Sequence, residues 1–313
     1  MDRFHELKVF IAVAETGGFA KAASRLRSSP PAITRAIAAL EQRLGTELVT
    51  RTTRRVHLTE AGQLFLERAR HLLSDLDSAE KEVTGEGSMP SGQLTITASV
   101  TMGRSILPPV VTGFLETHPR VMAKVLLLDR VVDLVEEGID IALRVGELPD
   151  STMIARQVGE VRRMLVASPA YLTKRGVPKA ASDLKLHSII AFTGLMPNRE
   201  WTYVGERGAQ RVALQPRFEI NDATAAIAAA EAGDGITIAL SYMVSKQIQD
   251  GRLSPVLSTF CPPAVPVQLV YPESRLVAPK VRAFVDYATP RIRAALHDLK
   301  PGVRPSTSAR HKR

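Results

Sequence analysis

The residues best placed for chemistry lie on the outer face of a predicted helix near the N-terminus, and the chemistry is recognition of nucleic acid. Over residues 30–44, apolar side chains recur at helical spacing and would face inward. That periodicity leaves Pro31, Thr34, Arg35 and Ala38 on the outside. A guanidinium and a hydroxyl on an exposed helical face can donate hydrogen bonds to base edges and phosphates.

Two predicted helices position this face. Residues 19–26 and 30–44 each form an amphipathic stretch, and a polar break that includes Ser28 and Ser29 separates them. Ser29 is a suitable N-cap, and Pro30 then occupies the first helical position, where a missing N–H is tolerated. A short helix, a tight turn and a second helix form the helix-turn-helix pattern. On this stretch alone, an ordinary helical hairpin stays open as the alternative.

A basic turn follows the second helix. Arg51, Arg54 and Arg55 lie between two short predicted strands at residues 48–49 and 56–58. A two-stranded wing of this kind can bring arginines to phosphates or into a minor groove. A solvated loop is the alternative, but the position directly after a helix-turn-helix favours DNA.

The net charge of +9 is concentrated at the two ends of the chain. Residues 1–60 hold ten Lys/Arg and six Asp/Glu, a net of +4. Residues 300–313 hold five Lys/Arg and no acid, and we expect a disordered basic tail there that keeps the protein soluble. Residues 61–299 are neutral, so the long middle has no electrostatic reason to prefer polyanions.

Residues 60–83 predict a long helix with a coiled-coil seam. Its apolar residues recur every 3.5 residues on average, which is the heptad spacing. The members of the seam are Phe65, Ala69, Leu72, Leu76, Ala79 and Val83. A narrow seam indicates pairing between chains, with packing onto the same chain as the alternative. A hinge rich in glycine follows at 85–92.

Beyond the hinge, strand-like and helix-like stretches alternate, which predicts an α/β domain with a largely parallel sheet. The pattern includes a helix at 104–116, a buried strand at 121–128 and a short helix at 131–137. Two α/β lobes with the chain crossing between them would enclose a cleft, where ligands bind at the carboxyl ends of strands.

Several classes of protein are disfavoured. The chain has a single cysteine, Cys261, no run of about 20 apolar residues and no signal-peptide core, so we expect a cytoplasmic protein without a membrane partner. No nucleophile elbow, P-loop or cluster of metal-spaced histidines is present, so we expect no enzyme, no metal and no cofactor. A solute-binding protein stays as the alternative, although the basic N-terminal 60 residues disfavour it.

Up to about residue 290, the chain resembles the LysR-type transcriptional regulators. The motifs that carry the resemblance are FxxAAxxL at 19–26, SPPAITRAIAALEQRLGTEL at 29–48, RTTRRVHLTEAG at 51–62, DRVVDLVEEGIDIALRVGELPDS at 129–151, ASPAYL at 167–172 and VYPESR…PKVRAFVDY within 270–287. The resemblance implies an α/β protein overall, with a mainly helical winged helix-turn-helix. It also implies a dimerising linker helix and a two-lobed effector-binding domain like that of periplasmic binding proteins. Such regulators are usually homodimers or homotetramers.

The expected boundaries follow from these motifs. They are a DNA-binding domain at 1–59, a linker helix at 60–84, a hinge at 85–92, an effector-binding domain at 93–299 and a tail at 300–313. Within the effector-binding domain, lobe I would comprise 93–161 and 267–299, and lobe II 162–266.

The resemblance also implies the DNA-binding residues. These are Ser28, Ser29, Pro30, Pro31, Thr34, Arg35, Arg51, Arg54 and Arg55, with Arg35 the candidate for a bidentate pair with guanine. The family often has hydroxyl residues at the positions of Gly18 and Ala20, where they cap a helix and touch phosphate. Neither residue can do so here.

The implied effector site lies where strands end and helices begin. Its candidates are Ser99, Val100, Thr101, Gly103, Arg104, Asp129, Arg130, Arg144, Val145, Gly146, Thr193, Asn221, Asp222 and Ser241. A helix N-terminus after Gly103 would suit a carboxylate effector. Two alternatives stay open: Asn221 caps its own helix, or Asp129 and Arg130 pair with each other at the surface.

Overall fold

The structure, a computed structural model, describes residues 2–51, 56–83, 89–146, 153–205, 208–273 and 278–299. Its N-terminal part is mainly helical. The elements are α1 (Arg3–Thr16), α2 (Phe19–Arg25), α3 (Pro30–Leu44), β1 (Val49–Arg51), β2 (Val56–Leu58) and α4 (Glu60–Val83). The strands β1 and β2 pair antiparallel, as the wing prediction requires.

The first three helices surround one apolar core. Phe10 and Val13 of α1 are fully buried with Ile33, Ile37 and Leu40 of α3. These α3 residues are members of the inward face that the helical periodicity predicts. The opposite face of α3 is therefore left to solvent.

The long helix α4 packs onto this core at its N-terminal end. The Thr59 hydroxyl caps it by accepting a hydrogen bond of 2.9 Å from the Gly62 N–H. A Cβ at Gly62 would lie 2.0 Å from the carbonyl oxygen of Leu48, so only glycine permits this close approach. The ring centroids of Phe65 and Phe10 are 5.5 Å apart.

The prediction that the whole apolar stripe of α4 is a seam between chains is wrong for its first two members. Phe65 packs against the core of its own domain, and Ala69 is fully buried in it. The first residues of the stripe face their own domain because α1 packs directly against the start of α4. Leu72, by contrast, is 54% exposed. The side chains of Ala79 and Val83 lie outside the described residues.

The rest of the chain is α/β. Its elements, in chain order, are β3 (Gly92–Ala98), α5 (Val100–Thr117), β4 (Val121–Leu127), β5 (Ile141–Val145), β6 (Met153–Val161), β7 (Arg163–Ala167), α6 (Pro169–Arg175), β8 (Ile189–Phe192), β9 (Glu200–Gly205), β10 (Gly208–Ala213), β11 (Phe218–Ile220), α7 (Ala223–Ala232), β12 (Ile236–Leu240), α8 (Ser241–Gln249), β13 (Ser254–Val256), β14 (Val265–Pro272) and α9 (Pro279–Asp298). Short 3-10 turns occupy Ala181–Leu186 and Ser258–Phe260.

These strands form two five-stranded sheets, one in each lobe. The sheet of lobe I has the order β4-β3-β5-β14-β6, and that of lobe II has the order β11-β8-β12-β7-β13. The hairpin of β9 and β10 forms a separate pair. The chain returns to lobe I through β14, which pairs antiparallel with both β5 and β6.

The structure corrects several expectations about this part. Both sheets are mixed rather than largely parallel, because β14 in lobe I and β7 in lobe II run antiparallel to their neighbours. The strand predicted as buried at 121–128 is the edge strand β4, with Met122 and Val125 exposed. The helix expected at 104–116 begins earlier, at Val100.

No helix forms at 131–137, contrary to the prediction. The Asp133 carboxylate accepts a hydrogen bond of 2.8 Å from the Glu136 N–H, which closes a turn instead of a helix. Gly138, with φ of +64°, ends that turn.

Candidate nucleic-acid interface and ligand cleft

The outer face of α3 is presented for contact as the sequence predicts. Ser29 caps the helix, since its hydroxyl accepts a hydrogen bond of 3.4 Å from the Ala32 N–H. Pro30, Pro31 and Arg35 are exposed, as is Ser28 in the preceding turn; Thr34 is half-buried.

The turn before α3 is tight. Arg27 adopts φ of +51°, and the Ser28 N–H donates to the Ala23 carbonyl at 2.9 Å. At the other end of α2, Gly18 occupies the N-cap position without a side-chain hydrogen bond. Ala20 is exposed and carries no hydroxyl, so the departure from the family pattern stands as the sequence indicated.

Acidic residues neutralise some of the basic residues of this domain, and these lie away from the outer face of α3. Glu6 is buried and pairs with Arg43 at 2.8 Å. Glu15 pairs with Arg25 of α2 at 2.6 Å and with Arg70 of α4 at 3.0 Å. Burial alone would raise the pKa of the Glu15 carboxyl, but the hydrogen bonds from both arginines hold it below its ordinary value.

Three basic residues of the helix-turn-helix are left without such a partner. Lys21 in α2, Arg27 in the turn and Arg35 in α3 are exposed and make no ion pair within the described ranges. An unpaired cation at a surface is available to a phosphate or a base edge. The wing residues Arg54 and Arg55, and the side chain of Arg51, lie outside the described residues.

In lobe I, the carboxyl end of β3 leads directly into α5. Ser99 occupies the N-cap position of α5, but its side chain makes no capping bond. The Asp129 carboxylate caps the helix instead, accepting a hydrogen bond of 2.9 Å from the Val100 N–H. One predicted effector residue therefore occupies a donor that an anionic ligand would use.

The prediction of a free helix N-terminus after Gly103 is wrong. Because α5 begins at Val100, the Gly103 N–H already bonds to the Ser99 carbonyl at 2.8 Å. A Cβ at Gly103 would lie 2.1 Å from a methyl group of Leu127, so this glycine serves the packing of α5 on β4. Thr101 is half-buried and Arg104 exposed nearby.

Arg144 is the most unusual polar residue at this end of lobe I. It is half-buried near the end of β5, and its Nη1 donates to the Leu128 carbonyl at 3.3 Å. Its Nη2 is fully buried and finds no partner within the described residues. Burial lowers the pKa of the guanidinium, and the Asp129 carboxylate opposes that shift. Val145 and Gly146, both half-buried, follow it directly.

Gln268 of β14 stands opposite Arg144 in the sheet register. Its Oε1 is likewise buried without a hydrogen-bond partner in the part of the chain that the structure describes. A donor and an acceptor therefore lie on neighbouring strands, each with unused hydrogen-bonding capacity. Sequence reasoning missed Gln268, because the signal is the register of a strand far along the chain.

Lobe II contributes Tyr242, which sequence reasoning also missed. It is 4% exposed and packs with the apolar core of lobe I, although it belongs to α8. Its hydroxyl lies beside Ser99 and has no hydrogen-bond partner of ordinary geometry among the described residues. Burial raises the pKa of this hydroxyl. The sequence signal was an aromatic residue two positions after the carboxyl end of β12.

Ser241 and Arg130 are occupied elsewhere. The Ser241 hydroxyl accepts a hydrogen bond of 3.1 Å from the Arg162 N–H at the crossing between lobes. Arg130 pairs with both oxygens of Glu137 at 2.6 Å, and not with Asp129 as the surface-pair alternative held.

The remaining candidates lie at strand ends in lobe II. Asp222, not Asn221, caps α7, accepting a hydrogen bond of 2.8 Å from the Ala225 N–H. Asn221 is exposed. Thr193 is half-buried, and its N–H bonds to the Ile220 carbonyl at 2.9 Å.

Two further tests bear on the kind of protein. Among the described residues, no group of three or more His, Cys, Asp or Glu side chains is placed to hold a metal ion. No helix in the same ranges has both the length and the apolar character needed to cross a membrane.

Comparisons with known proteins agree with this architecture. A family model for the bacterial regulatory helix-turn-helix protein of the lysR family matches residues 4–63, and one for the LysR substrate binding domain matches residues 87–293. The transcriptional regulator CrgA of Neisseria meningitidis is 32% identical over 283 residues, which are 90% of this chain and 94% of the relative.

Solved structures give the same result. A structure of CrgA matches with a TM-score of 0.60 and 30% identity, covering 92% of this chain and 98% of that one. Full-length AphB, a Vibrio cholerae virulence activator, matches with a TM-score of 0.58 and 30% identity, covering 91% and 98%. The chain thus belongs to the LysR family of transcriptional regulators.

Proposed function

We propose that this protein controls transcription by reading a specific DNA sequence through α3, and that a small carboxylate bound between lobes I and II modulates this activity. The reader is the domain at 1–59, the linker helix at 60–84 joins two readers, and the domain at 93–299 senses the effector. The observation that carries the DNA-binding half is the exposed Arg35 without an ion-pair partner in the described chain, on a helix whose other face is buried.

The cleft half rests on buried polar atoms that find no hydrogen-bond partner among the residues that the structure describes. Arg144 Nη2, Gln268 Oε1 and the Tyr242 hydroxyl all belong to this group. Such atoms are destabilising unless a ligand or water completes them. A carboxylate would accept from Arg144, and a hydroxyl or amide group on the same ligand would serve Gln268.

The effect of the ligand follows from the two-lobed geometry. A ligand that contacts both lobes changes the relative stability of their arrangements, in proportion to its difference in affinity for them. We expect ligand binding to change how strongly the bound DNA is bent rather than whether DNA is bound.

The decisive experiment is footprinting on the DNA upstream of the protein's own gene. We expect protection of a site with two half-sites, and a changed pattern when a carboxylate that raises the melting temperature of the protein is added. A ligand that stabilises the protein while no DNA is protected would instead support a solute-binding protein.

The pairing of readers is tested separately on α4. Leu72 is 54% exposed, and Leu76 one turn later is half-buried. Replacing both by Glu should give monomers in sedimentation, because two charges would enter an apolar seam. The matched control is Leu64→Glu, which changes an exposed residue of the same helix outside the seam and should leave the oligomer intact. A dimer that persists in the double variant would refute the seam.

A further inference from the structure

The linker helix α4 contacts lobe I as well as the reader. Glu67 forms an ion pair of 2.7 Å with Lys124 of β4. Next to it, the Arg68 guanidinium donates a hydrogen bond of 3.1 Å to the Val135 carbonyl. The contacts border a groove of about 490 Å³ between the helix and the lobe. Side chains of α4 and lobe I therefore connect the reader to the domain at 93–299.

Val135 belongs to residues 129–138, which we call the bridge segment. Asp133 caps its turn, and Arg130 holds Glu137 with two hydrogen bonds of 2.6 Å. Bidentate pairs of this kind fix geometry as well as charge. The bridge segment is therefore internally braced although it contains no helix.

The other end of the bridge segment lies beside Arg144, at the proposed ligand site. Asp129 caps α5 through the Val100 N–H at 2.9 Å. The residue before it, Leu128, accepts a hydrogen bond from Arg144. An anion bound to Arg144 would lie close to the Asp129 carboxylate. The two negative charges would repel each other, so Asp129 would be displaced.

We propose that the bridge segment couples the cleft to the linker helix: a ligand at Arg144 moves Asp129, and the segment transmits this movement through Val135 to Arg68. The inference rests on the proposed function and adds a route to it. Leu134 anchors the segment in an apolar cluster with Ile139 and Val270, while Val131 is 95% exposed and Val135 54% exposed, so the contact with Arg68 is made by a residue outside that cluster. Coupling between two sites is reciprocal, so DNA bound at the reader must act on the same segment.

Reciprocity allows a test without knowledge of the effector. The full-length protein is compared by hydrogen exchange with and without saturating duplex DNA selected from a random library. DNA binding should slow exchange of the amides at residues 136–139 by about fivefold, at the lower end of ordinary coupling. Lys124→Glu, which places a carboxylate against Glu67, should push α4 away from lobe I next to Arg68, break the contact of Arg68 with Val135 and so abolish the change. The swap of Lys124→Glu with Glu67→Lys should restore it.

The control is Arg156→Ala, which removes an exposed ion pair with Asp286 elsewhere in lobe I. It should leave the DNA-induced slowing intact. Exchange that DNA does not alter, or a swap that fails to restore the slowing while DNA is still bound, overturns the coupling and leaves the proposed function standing. If the protein binds no duplex from the library, both the coupling and the proposed function are refuted.

Discussion

The reader and the proposed ligand cleft contain arginines in opposite environments. Arg35 in α3 is exposed, with no ion-pair partner in the chain as described. Arg144 in lobe I is half-buried, and one of its nitrogens is buried with no hydrogen-bond partner in the described part of the chain. The exposed guanidinium keeps its water until DNA arrives, whereas the buried one has lost part of its hydration already on folding.

This difference separates two kinds of recognition. A hydrated surface cation attracts any polyanion over a distance that salt controls. A cation in a partly dry cleft interacts more strongly with an opposite charge, but only with a ligand small enough to enter. We therefore expect DNA binding by the reader to depend strongly on salt and little on the shape of the polyanion. Ligand binding in the proposed cleft should depend little on salt and strongly on ligand shape.

Salt should give the largest contrast. If a reader pair neutralises six or more phosphates, its affinity for DNA should fall by about a thousandfold or more between about 50 and 200 mM salt. Affinity for a monocarboxylate in the cleft should fall far less, since one charge pair is involved. Fluorescence anisotropy for DNA and calorimetry for the ligand measure both. Equal slopes would break the comparison.

Arg144→Gln should remove most of the ligand affinity. Losing one partner of a desolvated charge pair weakens binding by about 2–5 kcal/mol. DNA affinity without ligand should stay near that of the native protein. Arg156→Gln in the same lobe changes the same charge at an exposed ion pair and should bind ligand normally. Undiminished ligand binding by Arg144→Gln would place the effector elsewhere.

Arg35→Ala should relax sequence preference by about 1–3 kcal/mol, the discrimination of a bidentate contact to guanine. The affinity ratio between selected and scrambled duplexes is the measurement. Arg211→Ala, an equal loss of charge on the hairpin of lobe II, should leave that ratio unchanged. An unchanged ratio in Arg35→Ala would mean that α3 is not the recognition helix.

Glu15→Gln should give the smallest effect, at most about 1 kcal/mol, because pairs at a partly exposed surface contribute little. The folded-state pKa of Glu15 lies below its ordinary value of 4.5. Its pairs with Arg25 and Arg70 therefore stabilise the reader above pH 4.5, and this stabilisation is lost as pH falls through the folded-state pKa. Melting curves of both proteins should differ at neutral pH and converge in acid. A difference that grows in acid would contradict the linkage.

Local sequence patterns predicted the recognition helix of the reader correctly. The periodicity of Ile33, Ile37 and Leu40 with the cap at Ser29 predicts α3 correctly, since helix periodicity and capping are local properties. The same logic was wrong at residues 131–137, where the Asp133 side chain closes a turn instead. Local hydrogen bonds of Asp compete with helix formation, and periodicity does not register them.

The proposed cleft was less predictable because its residues come from distant parts of the chain. Gln268 meets Arg144 only through the antiparallel pairing of β14 with β5. Tyr242 reaches the core of lobe I from the start of α8. The predicted Ser241, next to it, is instead engaged with Arg162.

The sequence by itself determined the helix-turn-helix, the location of the basic charge, the alternation of strands and helices and the family. Each depends on neighbouring residues or on motif order. Tertiary structure decided which polar groups form helix caps and ion pairs and which keep unused hydrogen-bonding capacity. Asp129 caps α5 and Arg130 pairs with Glu137, whereas Arg144 Nη2 has no hydrogen-bond partner within the described ranges. The physical reason is that hydrogen-bond satisfaction depends on which strands and loops meet in space, and spacing along the chain does not specify it.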